Sequence, residues 1–97
     1  MKGFMILPAS MKFNLGRIVI TPAALESIPA DDICNSINRH VCGDWGDLDT
    51  DDRSENELAL RMGSRLLSVY HTATGTKFYV LTEACRTVTT ILLPADY

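Results

Sequence analysis

Arg65-Leu-Leu-Ser-Val-Tyr-His-Thr72, Thr76-Lys-Phe-Tyr-Val-Leu-Thr82 and Arg86-Thr-Val-Thr-Thr-Ile-Leu-Leu93 are three runs rich in β-branched and aromatic residues, and their reading decides the fold. They are joined by Ala73-Thr74-Gly75 and Glu83-Ala84-Cys85, spacings that suit hairpins. A three-stranded antiparallel meander is the expectation. Strand alternation puts Leu67 with Val69 on one face and Phe78 with Val80 on one face. In the last run Val88, Thr90 and Leu92 oppose Ile91 and Leu93, so both faces are apolar. Such a run belongs in the centre of a sheet or beneath a helix. The apolar second face leaves a homodimer open. Pro94 ends the run, and the Tyr97 ring is expected to fold back on the sheet.

Upstream the pattern is helical. Arg17-Ile-Val-Ile-Thr21 reads as a short strand halted by Pro22. Thr21 suits an N-cap with Pro22 at the first helical position, giving a brief helix over 22–28 before Pro29. Asp31 and Asp32 favour the start of a second helix running to about Cys42, with Ile33, Ile37 and Val41 on one face and Gly43 as its left-handed close. The segment from Gly43 to Thr50 is turn-rich, with Trp45 and Leu48 its apolar anchors. Asp52 followed by Glu55 resembles a capping box opening a third helix that ends at Gly63, with Leu58, Ala59 and Met62 on its buried side. A strand, then helices, then three strands makes an α+β domain: a short N-terminal strand and about three helices packed on the C-terminal meander.

The 97 residues suffice for one domain, assigned to residues 11–97, and leave little room for a deep cleft between lobes. Residues 1–10 read as an extension that is poorly ordered or makes only an edge contact, because Pro8 cuts short the apolar run Phe4-Met5-Ile6-Leu7 and Met11 is itself a reasonable start. That run is also too short for a signal peptide, and no stretch approaches the ~20 residues of a membrane span. The odd count of three cysteines argues for reduced thiols, so a cytoplasmic protein without membrane contact is expected.

Net charge is only −3, too acidic for non-specific nucleic-acid binding, but the charge is unevenly placed. Asp44, Asp47, Asp49, Asp51, Asp52, Glu55 and Glu57 are seven of the twelve acids, with Arg53 the sole base among them. That segment carries −6, and the other residues, with eight bases and five acids, carry +3. A solvated loop and helix start is the simple explanation. The functional explanation is an acidic projection centred on Trp45 that meets a basic protein groove, with Asp44, Asp47, Asp49, Asp51, Asp52 and Glu55 as its partner-binding residues.

Other chemistries are thinner. Asp47, Asp49 and Asp51 alternate as in a calcium loop, but Asp52 stands where that loop needs Gly and Leu58 where it needs Glu. No Cys or His spacing suits zinc, and neither a metal nor a cofactor is expected. A thiol enzyme would use Cys85 with His71 or His40 as base, although His40 near a helix C-terminus suits the helix dipole better. A weak single-stranded nucleic-acid module would use Arg65, Lys77 and Arg86 as a stripe beside Tyr70 and Tyr79.

His40-Val-Cys-Gly-Asp-Trp-Gly46, Asn56-Glu57, Arg65 to Tyr70, Gly75 to Glu83 and Thr89 to Tyr97 together resemble a family of small bacterial plasmid-related proteins carried on mobile elements. The likeness spans about residues 11–97, begins at Met11, and departs at Cys85, where an acidic residue would stand in the Thr-Glu-Ala-x-Arg turn. The resemblance implies a non-enzymatic accessory protein that binds a host protein, such as an inhibitor of a CRISPR or restriction defence complex. It carries over no catalytic residue.

Overall fold

A computed structural model describes residues 10–97, so the expectation for residues 1–10 lies outside the described residues except at Ser10, which is exposed. The elements in chain order are β1 (Arg17–Ile20), α1 (Pro22–Ser27), α2 (Ala30–Val41), α3 (Thr50–Met62), β2 (Leu66–His71), β3 (Lys77–Thr82), β4 (Val88–Leu92) and a closing 3-10 turn, Pro94–Asp96. The fold is α+β. Its sheet, however, is a mixed four-stranded one in the order β1-β4-β3-β2, with β1 parallel to β4 and the other neighbours antiparallel. The expected meander is therefore extended by the first strand, and β4 is central.

Parallel pairing of β1 with β4 rests on a close backbone approach at its start. Arg17 N–H donates to the Thr87 carbonyl at 2.9 Å, and Thr21 N–H to the Ile91 carbonyl at 3.1 Å. Gly16 makes the approach possible. A Cβ there would lie 2.2 Å from the Thr87 carbonyl carbon, and its φ of +66° disfavours any L side chain.

The helices form largely where local chemistry places them. Thr21 Oγ1 accepts from the Ala24 N–H and donates to Asp96, tying the start of α1 to the last turn of the chain. Ile33, Ile37 and Val41 of α2 are buried at four-residue intervals, with Ala24 of α1 and its C-cap residue Ile28 beside them. They meet Tyr70, Phe78, Val80 and Ile91 from the sheet. Each such side chain, once buried, contributes about 1.5–3 kcal/mol. The Tyr97 ring does return to the sheet, edge-on to Tyr79 at 5.6 Å between centroids.

Helix α3 departs from the expectation at both its start and its buried face. Its N-cap is Asp49, whose carboxylate accepts from Asp52 N–H at 2.8 Å, so it begins three residues before the Asp52–Glu55 box. Asp51 and Asp52 thereby fall in the first turn, beside the positive end of the helix. Gly63 closes it in the left-handed conformation, as expected. Ala59 is buried, but Leu58 and Met62 are 51% and 71% exposed, and the polar Asn56 takes the inward position instead.

The reason lies on the outer edge of β2. The Asn56 side-chain amide donates to the Leu67 carbonyl at 2.7 Å and accepts from the Leu67 N–H at 3.2 Å. Two residues on, Val69 N–H donates to the Trp45 carbonyl and Asp47 N–H to the Val69 carbonyl. Gly46 sits between these last two bonds, bridged to Val69, where a Cβ would come within 2.0 Å of the Val69 oxygen. A side chain and a loop thus occupy the backbone groups that an edge strand would otherwise offer. Asn56→Asp, which keeps the shape but turns the donor into an oxygen facing the Leu67 carbonyl, is expected to cost about 1–3 kcal/mol in urea unfolding. Asn56→Ala should cost a similar amount.

Candidate functional site

The seven acidic residues do not act as one group. Asp44 is paired with Arg39, whose Nε lies 2.7 Å from its carboxylate, and that bond holds Asp44 below the usual carboxylate range. Asp47 pairs with His71 Nδ1 at 2.7 Å. Asp49 is used as the α3 N-cap, and Glu57 accepts the Trp45 indole N–H at 2.8 Å. Arg53, the one base of the segment, turns back to the carbonyls of Gly46 and Leu48. Asp51, Asp52 and Glu55 remain on the exposed side of α3, with no ion-pair partner among the described residues. Among the described residues these three are the acids of the segment whose side chains make no hydrogen bond or ion pair.

Trp45 is not the exposed centre of that charge. It is 2% exposed and forms a second core cluster with Ala59 and Leu66, bordered by Phe13, Leu48 and Leu60. Its ring stacks near Phe13 at 6.3 Å and meets His40 edge-on at 5.8 Å. The large apolar ring gains more from joining the core than from solvent, and Glu57 satisfies its one polar atom. As a partner anchor Trp45 is therefore corrected to a core residue. Beside the carboxylates lies a groove of about 550 Å³ of mixed lining, in which Leu58 and Met62 of α3, with Leu48 and Leu67, stand next to Asp52, Glu55 and Arg65.

His40 shares that interior. Fully buried, it sits in a chain of hydrogen bonds whose direction is set by its last acceptor, a carbonyl. Thr89 donates to the Leu15 carbonyl at 2.7 Å, so it must accept from Thr82 at 2.7 Å. Thr82 must then accept from His40 Nε2 at 2.9 Å, which leaves Nδ1 to accept from the Ser68 hydroxyl at 2.6 Å. The imidazole is the neutral Nε2–H tautomer, and burial pushes its pKa down to about 3. An uncharged ring does not complement the dipole of α2, so that expectation is overturned. Sequence offers no signal for this network, since its members come from β2, β3, β4 and α2.

The other chemistries separate in space. Cys85 is exposed, and its hydrogen bond to Thr87 lowers its thiol pKa. Among the described residues its side-chain partner is thus a hydroxyl, while His40 bonds Ser68 and Thr82, and His71 bonds Asp47. No cysteine–histidine hydrogen bond forms among the described residues. The basic stripe is also broken. Strand register puts Lys77 opposite His71, at one end of the sheet, while Arg65 and Arg86 flank the other end. Tyr70 is buried, with its hydroxyl donating to the Asp44 carbonyl.

Arg86 has a structural task that sequence reasoning missed. In the left-handed conformation, with φ +60°, it donates to the carbonyls of Ser64, Glu83 and Ala59 and lies over Phe13. It so closes the C-terminal end of α3. Among the described residues no group of three or more acidic, His or Cys side chains converges to hold a metal, and no helix is long and apolar enough to cross a membrane. No family model, curated protein or solved structure matches the chain.

Proposed function

We propose that this chain is a non-enzymatic accessory protein of a mobile genetic element that binds a basic surface of a host protein, as an inhibitor of a host defence complex would. The observation that carries the reading is the set of three carboxylates, Asp51, Asp52 and Glu55, without a hydrogen-bond or ion-pair partner among the described residues, while each other acid of the segment holds an intramolecular bond. Like charges kept together in this way raise the encounter rate with a positive patch and select against acidic partners. The plasmid-related resemblance supports the biological setting.

The test is affinity purification from the bacterial host with quantitative mass spectrometry. Asp51→Asn/Asp52→Asn/Glu55→Gln is expected to lose at least about tenfold of the specifically captured protein, as is the native chain when salt is raised well above physiological strength. Unchanged capture by the triple variant would remove the acidic surface from the mechanism.

A further inference from the structure

We propose that the groove between α3 and β2 is the docking site for a basic amphipathic helix of the partner protein, an inference that rests on the acidic-surface reading and gives it a shape. Leu58 and Met62, 51% and 71% exposed, stand one helical turn apart on α3, and Leu48 and Leu67 extend the same apolar lining across to β2. Two large apolar side chains at adjacent turns suit a partner that presents Leu-type residues at helical spacing. Asp52 and Glu55 stand at the N-terminal end of this lining, and Arg65 at the other. The occupant therefore carries Lys or Arg next to its apolar stripe, toward the start of α3, and its non-basic end toward Arg65.

Two modes of peptide recognition compete at the border of a sheet: addition of a strand to its edge, and insertion of a helix into a groove. Strand addition needs free backbone donors and acceptors. Beside this groove they are already taken, since Leu67 is bonded through both its N–H and C=O to Asn56, and Val69 through both to the Trp45–Asp47 loop. What the groove offers is side chains and charge. That excludes an added strand at these positions and selects the helix.

The experiment uses the full chain and three synthetic peptides of about fifteen residues, long enough to form a helix on binding. One places Leu at i, i+3, i+4 and i+7 with Lys elsewhere; a second scrambles the same composition; a third replaces Lys with Glu. Amide chemical shifts and fluorescence anisotropy are followed on titration. The Leu/Lys peptide is expected to shift the amides of Leu58, Met62 and Leu67, while the other two bind at least about tenfold more weakly. Leu58→Ser/Met62→Ser is expected to weaken the first peptide at least about tenfold, and Asp52→Asn/Glu55→Gln about three- to tenfold. Both pairs are exposed, so unchanged circular dichroism and melting of the variants secure the comparison.

Binding that depends on the carboxylates but not on Leu58 and Met62 would overturn the groove and leave the acidic surface standing. Equal binding of the scrambled peptide would overturn the helix. Binding indifferent to both variants, or none at low salt, would overturn the groove and the acidic surface together.

Discussion

His40→Ala is expected to lower the unfolding free energy by about 3–5 kcal/mol, which is a large share of the ~5–15 kcal/mol that holds a domain of this kind together. The imidazole is fully buried, and its removal leaves a cavity beside Trp45 and Phe13. It also strands the Ser68 hydroxyl without its acceptor and Thr82 without its donor. Restoring volume with Leu should recover only part of the loss, because the stranded hydroxyls remain.

The same residue makes stability depend on pH, with a definite sign. The folded pKa near 3 lies below the unfolded value of about 6.5, so the unfolded chain binds the proton more tightly. His40 therefore weakens the fold as pH drops from about 6.5 towards 3, by about 2 kcal/mol at pH 5. Asp44 adds loss of the same sign further down, below its ordinary range, as its bond to Arg39 is broken by protonation. Urea unfolding between pH 7.5 and 5 reads the His40 contribution, and His40→Leu should flatten that slope. A native chain whose stability held constant over this range would refute the neutral, buried imidazole.

Trp45→Ala is expected to cost about 3–5 kcal/mol as well, and Trp45→Phe about 1–2 kcal/mol. The difference separates the ring from its N–H: Phe still packs against Ala59 and Leu66 but gives up the bond to Glu57. Trp45 is the only tryptophan, so its own fluorescence reports unfolding of the native chain, and circular dichroism serves for the variants. The same substitution separates packing from recognition. Trp45→Phe, folded but slightly weakened, is expected to keep full affinity for a basic partner, whereas a partner anchor would lose most of it.

Particular residues show how much of this could be read in the chain beforehand. Thr21 before Pro22, the Ile33–Ile37–Val41 spacing and Gly63 announced α1, the buried side of α2 and the end of α3, because caps, helical period and positive φ act within one or two turns. The acidic segment was visible as composition, although its division into paired and free carboxylates was not. Arg39 lies five residues from Asp44, but Asp47 meets a histidine 24 residues away and Trp45 reaches Glu57 from 12. Leu58 and Met62 read as buried from the sequence because they are apolar. Nothing local to α3 says that Asn56 would face inward to serve the edge of β2.

By itself, then, the sequence determined which segments are helix and strand, the α+β class and the address of the excess charge, since those follow from interactions between near neighbours. The tertiary structure alone decided that β1 joins β4 in parallel, that Trp45 and His40 turn into the core, and that Asp51, Asp52 and Glu55 stay free beside a groove of mixed lining. Each of these depends on a partner brought from elsewhere in the chain. The burial, hydrogen bond or ion pair that selects it exists only once the chain has closed on itself.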